Sequence, residues 1–562
     1  MKRIYTILLC LLTFTYMGCK DDSNEWPVDP EFDRPFSPTT FEIGEARPTS
    51  LKLAYTGVGQ ATNYLFEFSE VQLEGSDQLG GGLVTYEGDR SHFFDKIDLS
   101  VNILADTLTA TNDVTSESAR KYETWFDDLK GLTVYAIRMK ALTSDGRESK
   151  YTELLVKTPP EQIFTRIVGG LGKATIFWES DKEVTNLRYG EINETSADTT
   201  WIANISLDGP SQSAGKYVAQ DLTLGTSYVA EIYNNENKRG TLGFKTLGIK
   251  PGSTVSVINV TSEMDVNAEM TACVEAGQTD LMIIFKSGDT HSFTNMEGDV
   301  SSIIVPEGAT SAYFIGDVEV DGKLPEVQAI SLSVQATGMT ELSFQYIDLN
   351  ASGSGFFMVL SGTPFDDFTA EGCIIRNIPY TLIRSNGVAL KNIALNNCVI
   401  QNVSTSGWGI FNFMTGSLNT LSFTNCTLID INDQITDIRV QLEKYRFDRC
   451  ILCNYNTKMA KIFLFDKEPN EIAVTNSIFC GNNQGGKLKA GNSNYSYFDY
   501  MSCYMTSDLT EDSSTPFSRI NKLEETTEDL FVNPRNGDFH INPNVKFPGD
   551  GIAGPSRWWT QK

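Results

Sequence analysis

Five stretches of this chain fit one template. They are Phe368 to Ile378 (FTAEGCIIRNI), Ile393 to Val403 (IALNNCVIQNV), Leu421 to Ile431 (LSFTNCTLIDI), Tyr445 to Tyr455 (YRFDRCILCNY) and Ile472 to Asn482 (IAVTNSIFCGN). Leu342 to Ala351 (LSFQYIDLNA) reads as an earlier, degenerate copy. The aligned positions are Cys373, Cys398, Cys426, Cys450 and Ser477, separated by 25, 28, 24 and 27 residues. A repeat of this length, built from short strands and turn residues, is one coil of a parallel β-solenoid. Two places after the cysteine stand Ile375, Ile400, Leu428, Leu452 and Phe479, which stacked coils would bury as one apolar column. Four places after it stand Asn377, Asn402, Asp430, Asn454 and Gly481. Asn and Asp accept left-handed backbone at turns and can hydrogen-bond from coil to coil. The Cys/Ser column is read as a ladder of small core residues, because buried Cys behaves as a small hydrophobe. A metal-binding thiolate ladder is the weaker alternative. Cys453 and Cys480 occupy one equivalent position in adjacent coils, within reach of a disulfide in an oxidising compartment.

Upstream, the pattern changes. Leu51, Leu53 and Tyr55 alternate like a strand, and Asn63 to Phe68 follows as another. Leu129 to Ala141 places Leu, a turn and then Tyr135 ahead of an alternating strand, which resembles the tyrosine corner of immunoglobulin-like folds. Lys157-Thr158-Pro159-Pro160 resembles the exit of a fibronectin type III domain. Helical spacing from Ala119 to Phe126 predicts a short helical insertion. A second copy follows. Ala174 to Trp178 resembles the early strand with its buried Trp, Leu222 to Tyr228 repeats the corner, and Phe244-Lys245-Thr246 repeats the exit. Such modules serve mostly as spacers.

The repeats themselves resemble right-handed parallel β-helices of the pectate-lyase type. Leu530 to Ile541 (LFVNPRNGDFHI) resembles the closing motif of such bacterial domains, and Gly551 to Trp559 (GIAGPSRWW) their terminal segment. The start of the chain agrees with an exported protein. Lys2 and Arg3 precede an apolar run from Ile4 to Tyr16, and Gly18-Cys19 closes it like a bacterial lipobox. The resemblance implies a Bacteroidota surface lipoprotein of an uncharacterised family, lipidated at Cys19 and often associated with polysaccharide utilisation. The expected fold is all-β: two fibronectin type III-like sandwiches, then a right-handed, pectate-lyase-like parallel β-helix. The expected order is a lipoprotein signal peptide over 1–18, a flexible acidic tether over 19–35, sandwiches over 36–158 and 159–248, and the β-helix with its closing segment over 249–562.

Composition narrows the partners. The chain of 562 residues carries Lys+Arg 45 against Asp+Glu 72, a net charge of −27. That argues against nucleic acid, whose phosphates need a basic surface. It also weakens capture of polyanions unless a metal or a local basic patch intervenes. Cys450 and Cys453 form the single CxxC, and His92, His291 and His540 lie far apart, so neither structural zinc nor a Cys–His nucleophile is expected.

Lyases on this fold need a cation to acidify the proton alpha to a uronate carboxylate, and a basic residue to remove it. Calcium would serve, held by acids converging from adjacent coils. No acidic column stands out at the template positions after the cysteine. The face carrying Ile374, Val399, Thr427, Ile451 and Ile478 is largely apolar and suits packing under a loop. Arg376 and Arg384 are the basic candidates for meeting a uronate. Asp366 and Asp367 are candidates for calcium or for paired acids, and otherwise loop charges. Trp408, between Gly407 and Gly409, could stack on a sugar or plug the core. The reading leans away from an enzyme. The expected function is polysaccharide binding at the cell surface, beside an outer-membrane glycan transporter and without a firmly implied cofactor. A polysaccharide lyase with calcium is the alternative, and a structural or adhesive protein the second.

Overall fold

The computed structural model describes residues 34–73, 81–320, 322–362, 364–491 and 499–559. Cys19 and the rest of residues 1–33 lie outside the described residues. Among the described residues no helix is long and apolar enough to cross a membrane.

Two sandwiches come first. In the first, strands Phe41–Ala46, Leu51–Thr56 and Lys121–Phe126 form one sheet, and Ala61–Glu70, Leu99–Leu104, Val134–Thr143 and Thr152–Lys157 with Gly82–Leu83 form the other. Leu51, Leu53, Tyr64, Phe66, Phe68, Ile137 and Met139 meet in the core between them. The second sandwich repeats the plan with three and four strands around Ile176, Trp178, Leu187, Tyr228 and Ile232. Both tyrosine corners are present. The Lys130 N–H donates to Tyr135 Oη at 2.9 Å, and the Thr223 N–H donates to Tyr228 Oη at 2.9 Å. The fibronectin type III-like arrangement is therefore built twice. The helical insertion expected at Ala119 to Phe126 is wrong. Glu117–Ala119 make a single 3₁₀ turn, and Lys121–Phe126 is a strand paired antiparallel with Leu51–Thr56. Tyr122 and Phe126 are both buried, and a four-residue interval fits a strand's period of two as well as a helix.

From Val255 the chain winds into a parallel β-solenoid with three faces. One is a ten-stranded sheet running from Thr290–Ser292 to Asn521–Lys522, and it carries the strands that follow each cysteine. We call it the cysteine face. The first face precedes the cysteines: Asp280–Lys286, Ser311–Asp317, Met339–Gln345 and Phe365–Glu371 lead into it. The third face stacks Ile303–Val305, Leu332–Val334 and Met358–Leu360. Two 14-residue strands, Ile383–Asn396 and Phe411–Thr424, bend from the third face into the first. The coils are in register. Ile375, Ile400, Leu428, Leu452 and Phe479 align strand by strand, all buried. Cys373, Cys398, Cys426, Cys450 and Ser477 are buried beside them, and Ile347 extends that column upward. Left-handed backbone appears at Asn377, Asn402, Asp430 and Gly481, as the turn residues imply.

The solenoid is closed at its start and covered on one side. Helix Val266–Glu275, capped by the Asp265 carboxylate accepting from the Ala268 N–H at 3.1 Å, buries Val266 and Met270 in the core. The closing segment lies on the outer side of the cysteine face. Leu530, Phe531, Phe539, Ile541 and Phe547 pack on Ile429, Ile451 and Ile478, with Val399 at the edge. The apolar outer side is thus a packing surface, as its composition implies. The second sandwich docks on the first face, where Leu171 and Leu224 meet Met282, Ile315 and Tyr346, and Lys173 pairs with Glu319 at 2.6 Å.

Stacking in register makes the inner columns the stability reserve. Leu428→Ala should lower unfolding free energy by about 2–5 kcal/mol, whereas the exposed Val359→Ala should change it by less than about 0.5 kcal/mol. Urea titration of both variants by circular dichroism checks this.

Candidate functional site

Each coil passes from the cysteine face to the third face through a loop, and three successive loops build the site. They are residues 352–357, 379–382 and 404–410. At one end of them Ala351, Ser352, Gly353, Asn377, Pro379, Asn402 and Thr405 line an open cleft of about 360 Å³. An amide ladder edges it. Asn377 Nδ2 donates to Asn350 Oδ1 at 2.8 Å, and Asn402 Nδ2 donates to Asn377 Oδ1 at 3.4 Å.

At the other end the loops bring aromatic side chains around Arg384. Its guanidinium carbon lies 4.5 Å from the Phe356 ring centroid and 5.2 Å from that of Trp408. Phe356 also meets Tyr380, centroids 5.1 Å apart. Cation–π contact holds the guanidinium between two rings. Among the described residues no hydrogen bond or ion pair compensates it, and its Nε is buried without a partner. Next in register is Asn412, fully buried, whose Nδ2 donates to Asp437 Oδ2 at 3.1 Å while its Oδ1 has no partner. Arg439 completes the row by donating to both Asp437 oxygens, at 3.1 and 3.2 Å.

Trp408 is placed by its backbone. It has φ of 78°, between Gly407 at 109° and Gly409 at 77°. A bulky residue in the left-handed region costs about 1–2 kcal/mol, and such strain concentrates where a side chain has a task. Ser404 pins the loop: its hydroxyl donates to the Gly407 carbonyl and accepts from the Gly409 N–H, both at 2.9 Å. Trp408 remains 38% exposed, so it faces solvent and does not plug the core.

The sequence candidates separate here. Arg384 and Trp408 meet. Arg376 does not join them: it stands on the cysteine face, bonded to Asp348 at 2.8 and 3.1 Å and to Glu326 at 3.2 Å. Those carboxylates hold its charge firmly and leave little for a ligand. Asp366 and Asp367 are in strand Phe365–Glu371, not in a loop. Asp366 pairs with Lys391 at 2.8 Å, and Asp367 accepts from Asn392 at 2.7 Å. Among the described residues no three His, Cys, Asp or Glu side chains converge as a metal site. Cys453 and Cys480 are neighbours in register, both buried and both free thiols. Phe356 was not legible, because the loop that carries it lies outside the repeated template.

Acids do stack, but on the first face and before the cysteine. Glu341 and Asp367 are register neighbours, with Tyr313 and Thr369 hydroxyls donating to Glu341 at 2.5 and 2.9 Å. Two places before Cys373, Glu371 accepts from Asn396 at 2.7 Å. Burial pushes its carboxyl up to about 7.

The chain's similarities are modest in reach. Residues 320–431 match the family model "Domain of unknown function (DUF4957)", about a fifth of the chain, and this stretch contains the whole Phe356–Arg384–Trp408 cluster. The search of curated proteins finds no match. Among solved structures, the two fibronectin type III domain segment of chicken tenascin is 16% identical, covers 37% of this chain and 99% of that one, and superposes with a TM-score of 0.21. The FN1–FN3 domains of chicken CNTN1 are 14% identical over 38% and 67% of the two chains, TM-score 0.15. The central fibronectin III array of RIM-binding protein is 8% identical over 38% and 61%, TM-score 0.13.

Glu371 gives the fold a pH dependence. The folded protein holds its proton more tightly than the unfolded chain, so stability falls as pH rises from about 4.5 towards 7. Glu371→Gln should remove this slope. The variant should gain roughly 1–2 kcal/mol on the wild type at pH 8 relative to pH 4.5, allowing for partial exposure. Urea midpoints at the two pH values measure it.

Proposed function

We propose that this protein binds polysaccharide at the cell surface without cleaving it, and that the corner carrying Phe356, Arg384 and Trp408 is where the glycan sits. One observation carries the reading: a guanidinium with no ionic partner among the described residues, stacked against two aromatic rings, one of them on a strained and exposed loop. Aromatic faces stack on sugar rings, and a positioned guanidinium donates to sugar hydroxyls or carboxylates. The adjoining cleft supplies amide groups where a polymer would continue.

On this reading the lipid at Cys19 anchors the chain to the outer membrane. The two sandwiches hold the solenoid away from the bilayer, and a glycan-uptake transporter receives the captured polymer. Binding is preferred to lyase chemistry because Arg376, the other basic candidate, is already neutralised by Asp348 and Glu326.

The test is affinity electrophoresis on a panel of neutral and uronate-containing polysaccharides with calcium, following absorbance of unsaturated products in parallel. Retardation by one polymer without new absorbance is expected. Trp408→Ala and Arg384→Met should each weaken that retardation at least tenfold, about 1.4 kcal/mol. Arg376→Met should leave it within twofold. New absorbance would make the protein a lyase, and no retardation by any polymer would favour the adhesive reading.

A further inference from the structure

Two of the buried thiols among the described residues differ from the other five. Cys373, Cys398, Cys426, Cys450 and Cys503 each donate to a main-chain carbonyl at 3.2–3.6 Å, which satisfies them as core residues. Among the described residues neither Cys453 nor Cys480 has such an acceptor. They sit on neighbouring parallel strands, Ile451–Cys453 and Ile478–Cys480, directly opposite in register. Adjacent strands lie about 4.8 Å apart, inside the Cα separation that a disulfide spans. Their inward neighbours Leu452 and Phe479 are locked in the core, which holds both cysteines outward on the same side.

We propose that Cys453 and Cys480 form an intramolecular disulfide, made before the closing segment docks and then sealed beneath it. Leu530, Phe531, Phe539 and Ile541 share one buried cluster with the two cysteines, so the pair is hidden once these residues are in place. The chemistry is exchange with a small-molecule or protein disulfide. One cysteine thiolate attacks that disulfide, forming a mixed disulfide and releasing one thiol. The second cysteine then attacks the bonded sulfur of the first and releases the other thiol. Two protein thiols give up two protons and two electrons, and the oxidant is reduced to two thiols. The bond would staple adjacent coils under the segment that covers them. The proposal is independent of glycan binding.

The test is to refold the full chain from urea in a glutathione redox buffer, alkylate it in urea without reductant, and map the peptides by mass spectrometry. A linked peptide pair containing Cys453 and Cys480 is expected, with Cys373, Cys398, Cys426 and Cys450 alkylated. Alkylation of both Cys453 and Cys480, or a link within the inner ladder, overturns the proposal. Dithiothreitol should cut the link at least tenfold more slowly in the folded protein than in urea, and equal rates would overturn the sealing. The Cys453→Ser/Cys480→Ser double variant should unfold at the same urea concentration as reduced wild type and below oxidised wild type. An oxidised wild type no more stable than the double variant overturns the staple.

Discussion

The middle of the solenoid depends on a one-residue corner repeated in six successive coils. Immediately before the cysteine column the backbone turns left-handed at Tyr346, Gly372, Asn397, Asn425, Arg449 and Asn476. That single residue swings the chain from the first face onto the cysteine face and drops the next side chain into the core. Asn adopts the conformation cheaply, but Tyr346 and Arg449 pay about 1–2 kcal/mol each. Gly372 is different in kind, because a Cβ there would come within 2.7 Å of the Tyr346 ring. The strain persists because register is enforced on both sides of the corner. A slip of one residue would turn each strand's inward column outward.

The same corners explain the closing segment. A row of tight turns exposes main-chain carbonyls, and those near the outer apolar surface must find donors. Arg557 supplies them across adjacent coils, donating to the Asn397, Cys398 and Asn425 carbonyls at 2.7, 3.0 and 3.1 Å. It also reaches Thr427 Oγ1 at 3.2 Å, which accepts from Trp558 Nε1 at 2.9 Å as well. A guanidinium is suited to this because its donors fan out in one plane. The terminal segment therefore reads the geometry of the coils, and it covers the apolar outer side of the cysteine face.

What the sequence disclosed follows from periodicity. Positions at a fixed distance after the cysteine fall on the same side of successive coils, so the buried column at Ile375 and its successors, the left-handed turns at Asn377 and Asn402, and the covered face at Ile451 were all legible. The sandwiches were legible through the tyrosine corners, whose hydroxyl bonds tie a fixed spacing to a fixed fold. Tyr122 and Phe126 misled because an interval of four serves both a helix and a strand. The first coils, around Ile258 and Leu281, fall within the expected β-helix range but show no template copy, because no cysteine marks them. The acids Glu341 and Glu371 escaped, and Asp367 was read without its stacked neighbours, because they precede the cysteine on a face the template left uncounted.

The aromatic corner around Arg384 escaped in part for a deeper reason. On the faces of a parallel stack, each side chain has an in-register neighbour of similar kind, and polar groups satisfy one another: Asn392 with Asp367, Asn396 with Glu371, Asn377 with Asn350. A face built this way has little unsatisfied capacity to offer a ligand. The loops from the cysteine face to the third face are free of that constraint, since their lengths differ from coil to coil. Only there can Phe356, Arg384 and Trp408, each at a different offset from its own cysteine, converge on one point. Unsatisfied groups collect at the same place, at Arg384 Nε and Asn412 Oδ1. Periodicity builds the scaffold, and unsatisfied groups gather where periodicity fails.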